Sequence, residues 1–405
     1  MLVGLAALVA APTAVRGPDY VLDDWFLLAN ARFDGWWRAL PPELFRARPG
    51  SGVVYALTFG VVGRHALVAL AVQLALVVAA ALLLRSLLAR FVDDRLALAT
   101  AGIWLVVPNH GSLLHWTTGS AITGALVLLL AGLLLLDDER PVVAALLLGA
   151  SVLTYEATGP AAAAGLLAIP LLRRRAWRRP VLLGAAVLVP VAAWMLTNVP
   201  AVKDDGLGRT ADLALVLPAH IGWGVFPDGP AAVLGGAVAC VVAVLVAVDA
   251  GRRRTIDVEA GLAVAGVAVI VLGTLPFVRY YYAPLGAGDR VNVVAGVGTA
   301  LLWTGLGAWL ARRAPRPAMV PIAAVVVASM AAASWQGSMA WAAAADDAAR
   351  ILDGLPVMAP GDTVTVERPP VRRNVAAFAD PSNIVGAVQL EAGTRDVDAR
   401  FRPGR

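Results

Sequence analysis

Eleven apolar runs set the limits on what this chain can fold into. They fall at about 2–16, 66–85, 96–109, 119–136, 141–155, 158–172, 180–198, 229–249, 259–277, 291–311 and 317–338. About 20 apolar residues are what a helix needs to cross the hydrocarbon core of a bilayer. Several of these runs are shorter, and the two flanking Tyr155-Glu156 can be read as one kinked or re-entrant element. The composition agrees: of 405 residues, 59% are hydrophobic and 15% charged, against roughly half and a quarter in a soluble domain. This excludes a soluble enzyme, a disordered chain and a nucleic-acid-binding module. The expected class is an all-α polytopic membrane protein with about eleven transmembrane helices.

The 33 basic residues include a single lysine, Lys203. In a soluble protein a pI near 9.8 would suggest nucleic acid; here the arginines read as topology anchors, with no nucleic-acid partner. With the N-terminus in the cytoplasm, fifteen of them fall in five short inner loops, at 85–95, 140, 173–179, 252–254 and 312–316. Short basic loops stay inside, so this orientation is the expected one. All four histidines, His65, His110, His115 and His220, then lie on or near the outer face. The first fifteen residues lack the basic start of a signal peptide and read as a retained span. The sole cysteine, Cys240, excludes a disulfide or a cysteine zinc site within one chain.

Residues 1–345 are expected to form the membrane domain, with the first outer loop, 17–65, as its catalytic part. The tail, 346–405, is mixed in charge. Thr363–Val366 and 384–390 read as strands, punctuated by Pro-Pro at 369–370 and Asp380-Pro381. A small outer module of short strands is expected there, with 346–352 extending the last helix.

The first outer loop opens Gly-Pro-Asp-Tyr-Val-Leu-Asp-Asp-Trp-Phe-Leu-Leu at 17–28. Charges at a bilayer edge are wet, paired or used, and adjacent carboxylates repel, which raises one pKa. Asp23 and Asp24 therefore suit general-base work or cation binding. The plainer reading is that they cap a helix over 24–31. Trp25, Phe26, Trp36 and Trp37 would lay the loop on the membrane surface. Arg46 and Arg48-Pro49 follow, and Arg is suited to bidentate phosphate contact. Together these residues suit a lipid-linked phosphate whose head group lies outside.

One span, an outer loop opening Asp-Asp-Trp, then Arg-Pro and Tyr55-Ala56-Leu57 before the second span: this order resembles the GT-C superfamily of integral-membrane glycosyltransferases. It is nearest to the polyprenyl-phosphate-sugar-dependent members, such as protein O-mannosyltransferases and lipid A aminoarabinose transferases. The segments Pro108-Asn109-His110 to Trp116 and Leu153-Thr154-Tyr155-Glu156-Ala157 fall where that group has polar outer stretches. The resemblance is strongest over the first ~170 residues.

That resemblance implies a GT-C-like fold in the plasma membrane, with the active site on the extracytoplasmic face. The family's acidic residue at the start of the first outer loop is the general base or acceptor-binding group, which by position is Asp23 or Asp24. An acceptor hydroxyl on a glycan, lipid or protein would attack the anomeric carbon of a hexosyl or pentosyl polyprenyl phosphate, with inversion. The leaving phosphate needs cationic partners; Arg290 is the preferred late ligand and Arg279 the alternative. No cofactor is required, although Asp23-Asp24 can take a divalent cation. The second outer loop, 109–118, lacks the acid that some members carry, and Glu156 is a candidate replacement.

Other residues keep two readings. His110 and His115 are five apart, not the helical spacing of a zinc pair; with Trp116 they contact phosphate or sugar, or form a polar loop. Tyr155 and Glu156 belong to the site, or Glu156 is a paired carboxylate at a helix break. Arg279, Tyr282 and Arg290 bind sugar and phosphate, or form an interfacial belt of aromatics and snorkelling arginines. The alternative function is a transporter or flippase of a lipid-linked or envelope precursor, which would favour mid-membrane charges and matching halves. Neither is evident. An acyltransferase using His110 or His115 lacks an acid partner in the local loop.

Overall fold

The computed structural model describes residues 1–173, 175–198, 221–222, 229–253, 257–277, 286–313, 316–378 and 380–402. Each apolar run contains a helix. They are α1 (Leu2–Arg16), α5 (Ala66–Leu88), α6 (Asp94–Val106), α8 (Gly119–Asp137), α9 (Pro141–Thr154), α10 (Gly159–Leu172), α11 (Arg178–Asn198), α12 (Gly229–Arg253), α13 (Val258–Thr274), α14 (Val293–Arg313) and α15 (Arg316–Asp353). Among the described residues, six helical segments have the length and hydropathy to cross a membrane, and four shorter helices are also apolar. A helix satisfies its own backbone groups, which lipid requires. The first loop adds α2 (Asp23–Phe33), α3 (Pro42–Ala47) and α4 (Pro49–Tyr55), and the second adds the short α7 (Ser112–His115).

The helices alternate between two ends. One end is tied by ion pairs between arginines and acidic residues: Arg85 to Asp94 at 2.8 Å, Arg90 to Asp138 at 3.0 Å, Arg173 to Asp137 at 2.7 Å and Arg312 to Glu259 at 2.5 Å. At the other end the first loop, segments 107–118, 155–158 and 286–292, and the tail come together.

Glycines set the closest packing, between α13 and α14. A Cβ on Gly298 would lie 2.6 Å from both Gly266 O and Ile270 N, and one on Gly305 would lie 2.5 Å from Ala263 N. Small residues let backbones approach where no hydrophobic force drives helices together. Gly298→Val therefore forces the pair apart, because the obstructing atoms are backbone. The expected cost is about 1–3 kcal/mol, read as a lower thermal midpoint in detergent. An unchanged midpoint would contradict this packing.

The tail departs from the strand-only expectation. Residues 384–390 lie in a helix, α16 (Pro381–Ala392), between two short parallel strands, β1 (Thr363–Val366) and β2 (Asp398–Phe401). The local signals for a helix are strong. Asp380 accepts from Ser382 N and Asn383 N, Asn383 completes the capping box, Pro381 takes the first turn, and Gly393 ends the helix left-handed at φ 70°. Parallel strands also need a crossover between them. The last membrane helix, α15, runs on to Asp353 and so takes in the 346–352 extension expected from the sequence.

The tail shares one apolar core with the first loop, where Phe378, Ile384 and Val388 pack with Trp25, Leu28 and Phe59. A Cβ on Gly386 would lie 2.8 Å from Trp25 O, so α16 rests on the backbone of α2. Leu22 N donates to Ala377 O at 2.8 Å. Leu22 itself sits at φ 54°, a strained value for a β-carbon-bearing residue, just before the two aspartates.

Candidate active site

Neighbouring residues on a helix point about 100° apart, so the first turn of α2 sends Asp23 and Asp24 different ways. Asp24 turns inward and is fully buried. It accepts from Thr118 N at 2.8 Å, Thr118 Oγ1 at 2.6 Å and Val21 N at 3.3 Å. Burial pushes its carboxyl up to about 7 against these three bonds. Asp24 thus ties the first loop to the second. Asp23 turns outward, half-buried, onto the wall of a cavity of about 320 Å³.

Asp23 faces Arg290 at 3.8 Å and accepts from Asn383 Nδ2 at 3.2 Å. Burial raises its carboxyl above the usual range, and Arg290 and Asn383 work against that. Arg290 lies on the turn Gly286–Asn292 with its guanidinium 5.2 Å from the Trp116 ring. That turn grips the second loop: buried Asp289 accepts from Ser112 N at 3.1 Å, and Asn292 Nδ2 donates to Asn109 O at 2.7 Å. The same segment, 107–118, thereby places Trp116 under Arg290 and Thr118 on Asp24.

Arg48 also lines this cavity. It forms an ion pair with Glu156 and lies 5.7 Å from the Tyr155 ring. The approach depends on Gly50, where a Cβ would sit 2.8 Å from Thr154 Cα, and on Ser51 Oγ, which donates to Thr154 O at 2.5 Å. Tyr155 is extended, and a 3-10 turn over Glu156–Thr158 breaks α9 from α10, which turns Glu156 onto the cavity. Glu156 Oε2 is buried and has no hydrogen-bond partner among the described residues. Ser51, Tyr55, Thr118 and Ser382 complete the polar lining, and Phe26, Leu27, Leu40, Leu44, Ile122, Pro276, Phe277 and Val291 the apolar lining. Of the apolar residues, Leu44 and Pro276 are also exposed on the surface.

Of the residues singled out from the sequence, Asp23, Arg48, Tyr155, Glu156 and Arg290 meet on this cavity. Asp24 does not line it. Arg46 points to the surface from α3, its carbonyl accepting from Trp194 Nε1 at 2.8 Å. Trp116 is buried beneath Arg290 and reaches the cavity only through it.

The two histidines differ from the substrate-contact reading because each is used in packing. His110 is stacked on Trp104 at 5.2 Å, with Nδ1 3.2 Å from Asn109 Oδ1. His115 Nδ1 lies 3.0 Å from Thr13 Oγ1 and its Nε2 2.7 Å from Ser338 Oγ. Ser338 Oγ donates its proton to Val9 O, so His115 Nε2–H donates to Ser338 and Nδ1 accepts from Thr13. A neutral ring thus joins α1 to α15, and burial favours that form. Arg279 and Tyr282 lie outside the described residues.

Asp24 spends its oxygens on protein donors, so Asp23 is the member of the pair that lines the cavity. Among the described residues no group of three or more His, Cys, Asp or Glu could hold a metal ion. Sequence reasoning missed Ser51, Thr118, Ser382 and Asn383. Only Thr118 had a local signal, the polar pair Thr117-Thr118 between apolar helices.

No protein-family model matches the sequence, and no curated protein matches it. Among solved structures, the chain is similar to the crystal structure of ArnT from Cupriavidus metallidurans bound to undecaprenyl phosphate. The identity is 15% and the TM-score 0.41, over 98% of this chain and 88% of that one.

Proposed function

We propose that this chain is a GT-C-type membrane glycosyltransferase that moves a sugar from a polyprenyl phosphate to an acceptor hydroxyl, with inversion, on the extracytoplasmic face. The observation that carries this reading is the cavity lining, where the half-buried carboxylate of Asp23 faces the guanidinium of Arg290 and Arg48 lines the same cavity. One group to take a proton and two to hold a phosphate are what the reaction needs. The residues of the first loop that resemble the GT-C pattern supply Asp23 and Arg48.

Asp23 takes the proton from the acceptor hydroxyl as its oxygen attacks the anomeric carbon. The bond from that carbon to the phosphate oxygen breaks, and the phosphate leaves with the electron pair. Arg290 and Arg48 meet the charge that develops there. Glu156 Oε2, without a donor among the described residues, suits a hydroxyl of the bound sugar. Leu40, Leu44, Pro276 and Phe277 give the prenyl chain an apolar way out. Trp36, Trp37 and Trp194, all exposed, suit the membrane interface nearby. The arginine-rich loops at the opposite end favour the cytoplasm for that side.

The test is transfer from a panel of polyprenyl-phosphate sugars to envelope acceptors by the purified protein in liposomes, with the anomeric configuration read by NMR. Transfer with inversion is expected for at least one donor. Product of retained configuration, or transport of intact donor without transfer, would overturn the reading.

The rate should also depend on pH in one direction. A base works when deprotonated, so kcat/KM falls as pH drops through the pKa of Asp23. Burial places that pKa above the ordinary 3.8, so the acid limb lies above 3.8. An acid limb at or below 3.8 would contradict this.

A further inference from the structure

We infer that Asn383, on the C-terminal helix α16, is the positioning residue that orients the carboxylate of Asp23 toward the reacting hydroxyl, so that the tail is part of the active site. The inference rests on Asp23 being the base.

The amide of Asn383 has one orientation open to it. Its Oδ1 accepts from Asp380 N at 3.3 Å in the capping box, so its Nδ2 is the end that faces Asp23 Oδ1, at 3.2 Å. Asn383 is fully buried. Its place is fixed from two directions, by the cap that starts α16 and by the close seat of Gly386 on Trp25 O and Phe26 Cα. Two further ties keep this part of the tail on the first loop: Arg395, just past the end of α16, pairs with Asp34 at 2.5 Å, and Arg64 pairs with Glu391 on α16. Arg290 holds Asp23 Oδ2, so Asn383 on Oδ1 sets the rotation of the carboxylate. A capping residue has no need to reach beyond its own helix, and Asn383 does.

Among the described residues, the charged or titratable groups around Asp23 are Arg290 from the turn 286–292, Asp380 from the start of α16, Asp24 on its own helix and Tyr55 from α4. Asn383 and Arg290 favour the ionised form of Asp23, and Asp380 disfavours it. The two members of the capping box thus act on Asp23 with opposite signs.

The experiment compares the acid limb of kcat/KM in three variants, using the polyprenyl-phosphate sugar that the wild type turns over. Asn383→Ala removes the donor and moves the limb up by about 1 pH unit, with kcat lowered about tenfold. Asn383→Asp keeps the oxygen that accepts from Asp380 N, and so the fold, while placing a second carboxyl on Asp23; its limb moves up further. Asp380→Ala breaks the cap without removing the amide, and its limb stays or moves down. A purely structural role predicts that all three act alike. Wild-type limbs in both Asn383 variants, or an upward shift in Asp380→Ala, would overturn the inference. If Asp23→Asn retains turnover, the base assignment itself fails; if Asp23→Asn is inactive and the Asn383 limbs do not move, only the role of Asn383 fails.

Discussion

Asp23→Asn lowers turnover by about 10²–10⁴-fold and leaves thermal stability close to that of the wild type. The asparagine fits the same space and still accepts from Asn383, but it cannot take a proton from an acceptor hydroxyl. Asp24→Asn behaves in the opposite way. Its side-chain oxygen can still accept from Thr118 N and Oγ1, but its amide then meets Val21 N–H, donor against donor. A buried group left without its partner costs about 1–3 kcal/mol, so Asp24→Asn lowers the thermal midpoint and keeps turnover within about one order of magnitude. Paired melting curves and single-turnover rates check both. Full activity in Asp23→Asn, or loss of activity without loss of stability in Asp24→Asn, would exchange their roles.

Arg290→Gln lowers kcat/KM by about 10²–10³-fold, the usual cost of removing one group that meets developing negative charge in a water-poor site. The glutamine keeps a donor near Asp23 but has no charge for the phosphate. Arg290 also loses its stacking on Trp116, 5.2 Å away, so Arg290→Lys recovers only part of the rate: lysine keeps the charge but loses the planar fork that grips two oxygens. Removing Arg290 also removes a group that favours ionised Asp23, so the acid limb of the Gln variant moves to higher pH. Equal losses for Gln and Lys, with an unmoved limb, would mean that Arg290 only packs.

Much of the architecture was legible because lipid makes hydropathy almost sufficient. The runs at 66–85 and 119–136 are apolar on every face, and a helix is the only form in which such a segment can lie in hydrocarbon. The tail was less legible. The apolar, β-branched stretch at 384–390 reads as a strand by composition, while Asp380-Pro381-Ser382-Asn383 and Gly393 frame it as a helix.

At the site, the sequence singled out the right stretch of the first loop without separating its members. Adjacent aspartates look alike until the phase of α2 is known, and that phase is set by Thr118, some ninety residues away. Arg48 and Glu156 were each legible alone, and their pairing depends on Gly50 seating α4 on α9. His110 and His115 looked chemical because polar residues near the membrane often are; the ring stack on Trp104 and the bonds to Thr13 and Ser338 form only after helices distant in sequence meet. Asn383 carried no local mark beyond its helix cap.

The central claim is that the cavity between Asp23, Arg48 and Arg290 holds a polyprenyl phosphate. The most direct test is native mass spectrometry of the detergent-released protein, titrated with a polyprenyl phosphate and with the matching polyprenol. The wild type should retain the phosphate and not the alcohol, and Arg48→Gln with Arg290→Gln should weaken retention at least about tenfold. Equal retention of alcohol and phosphate, or undiminished binding in the double variant, would contradict the account.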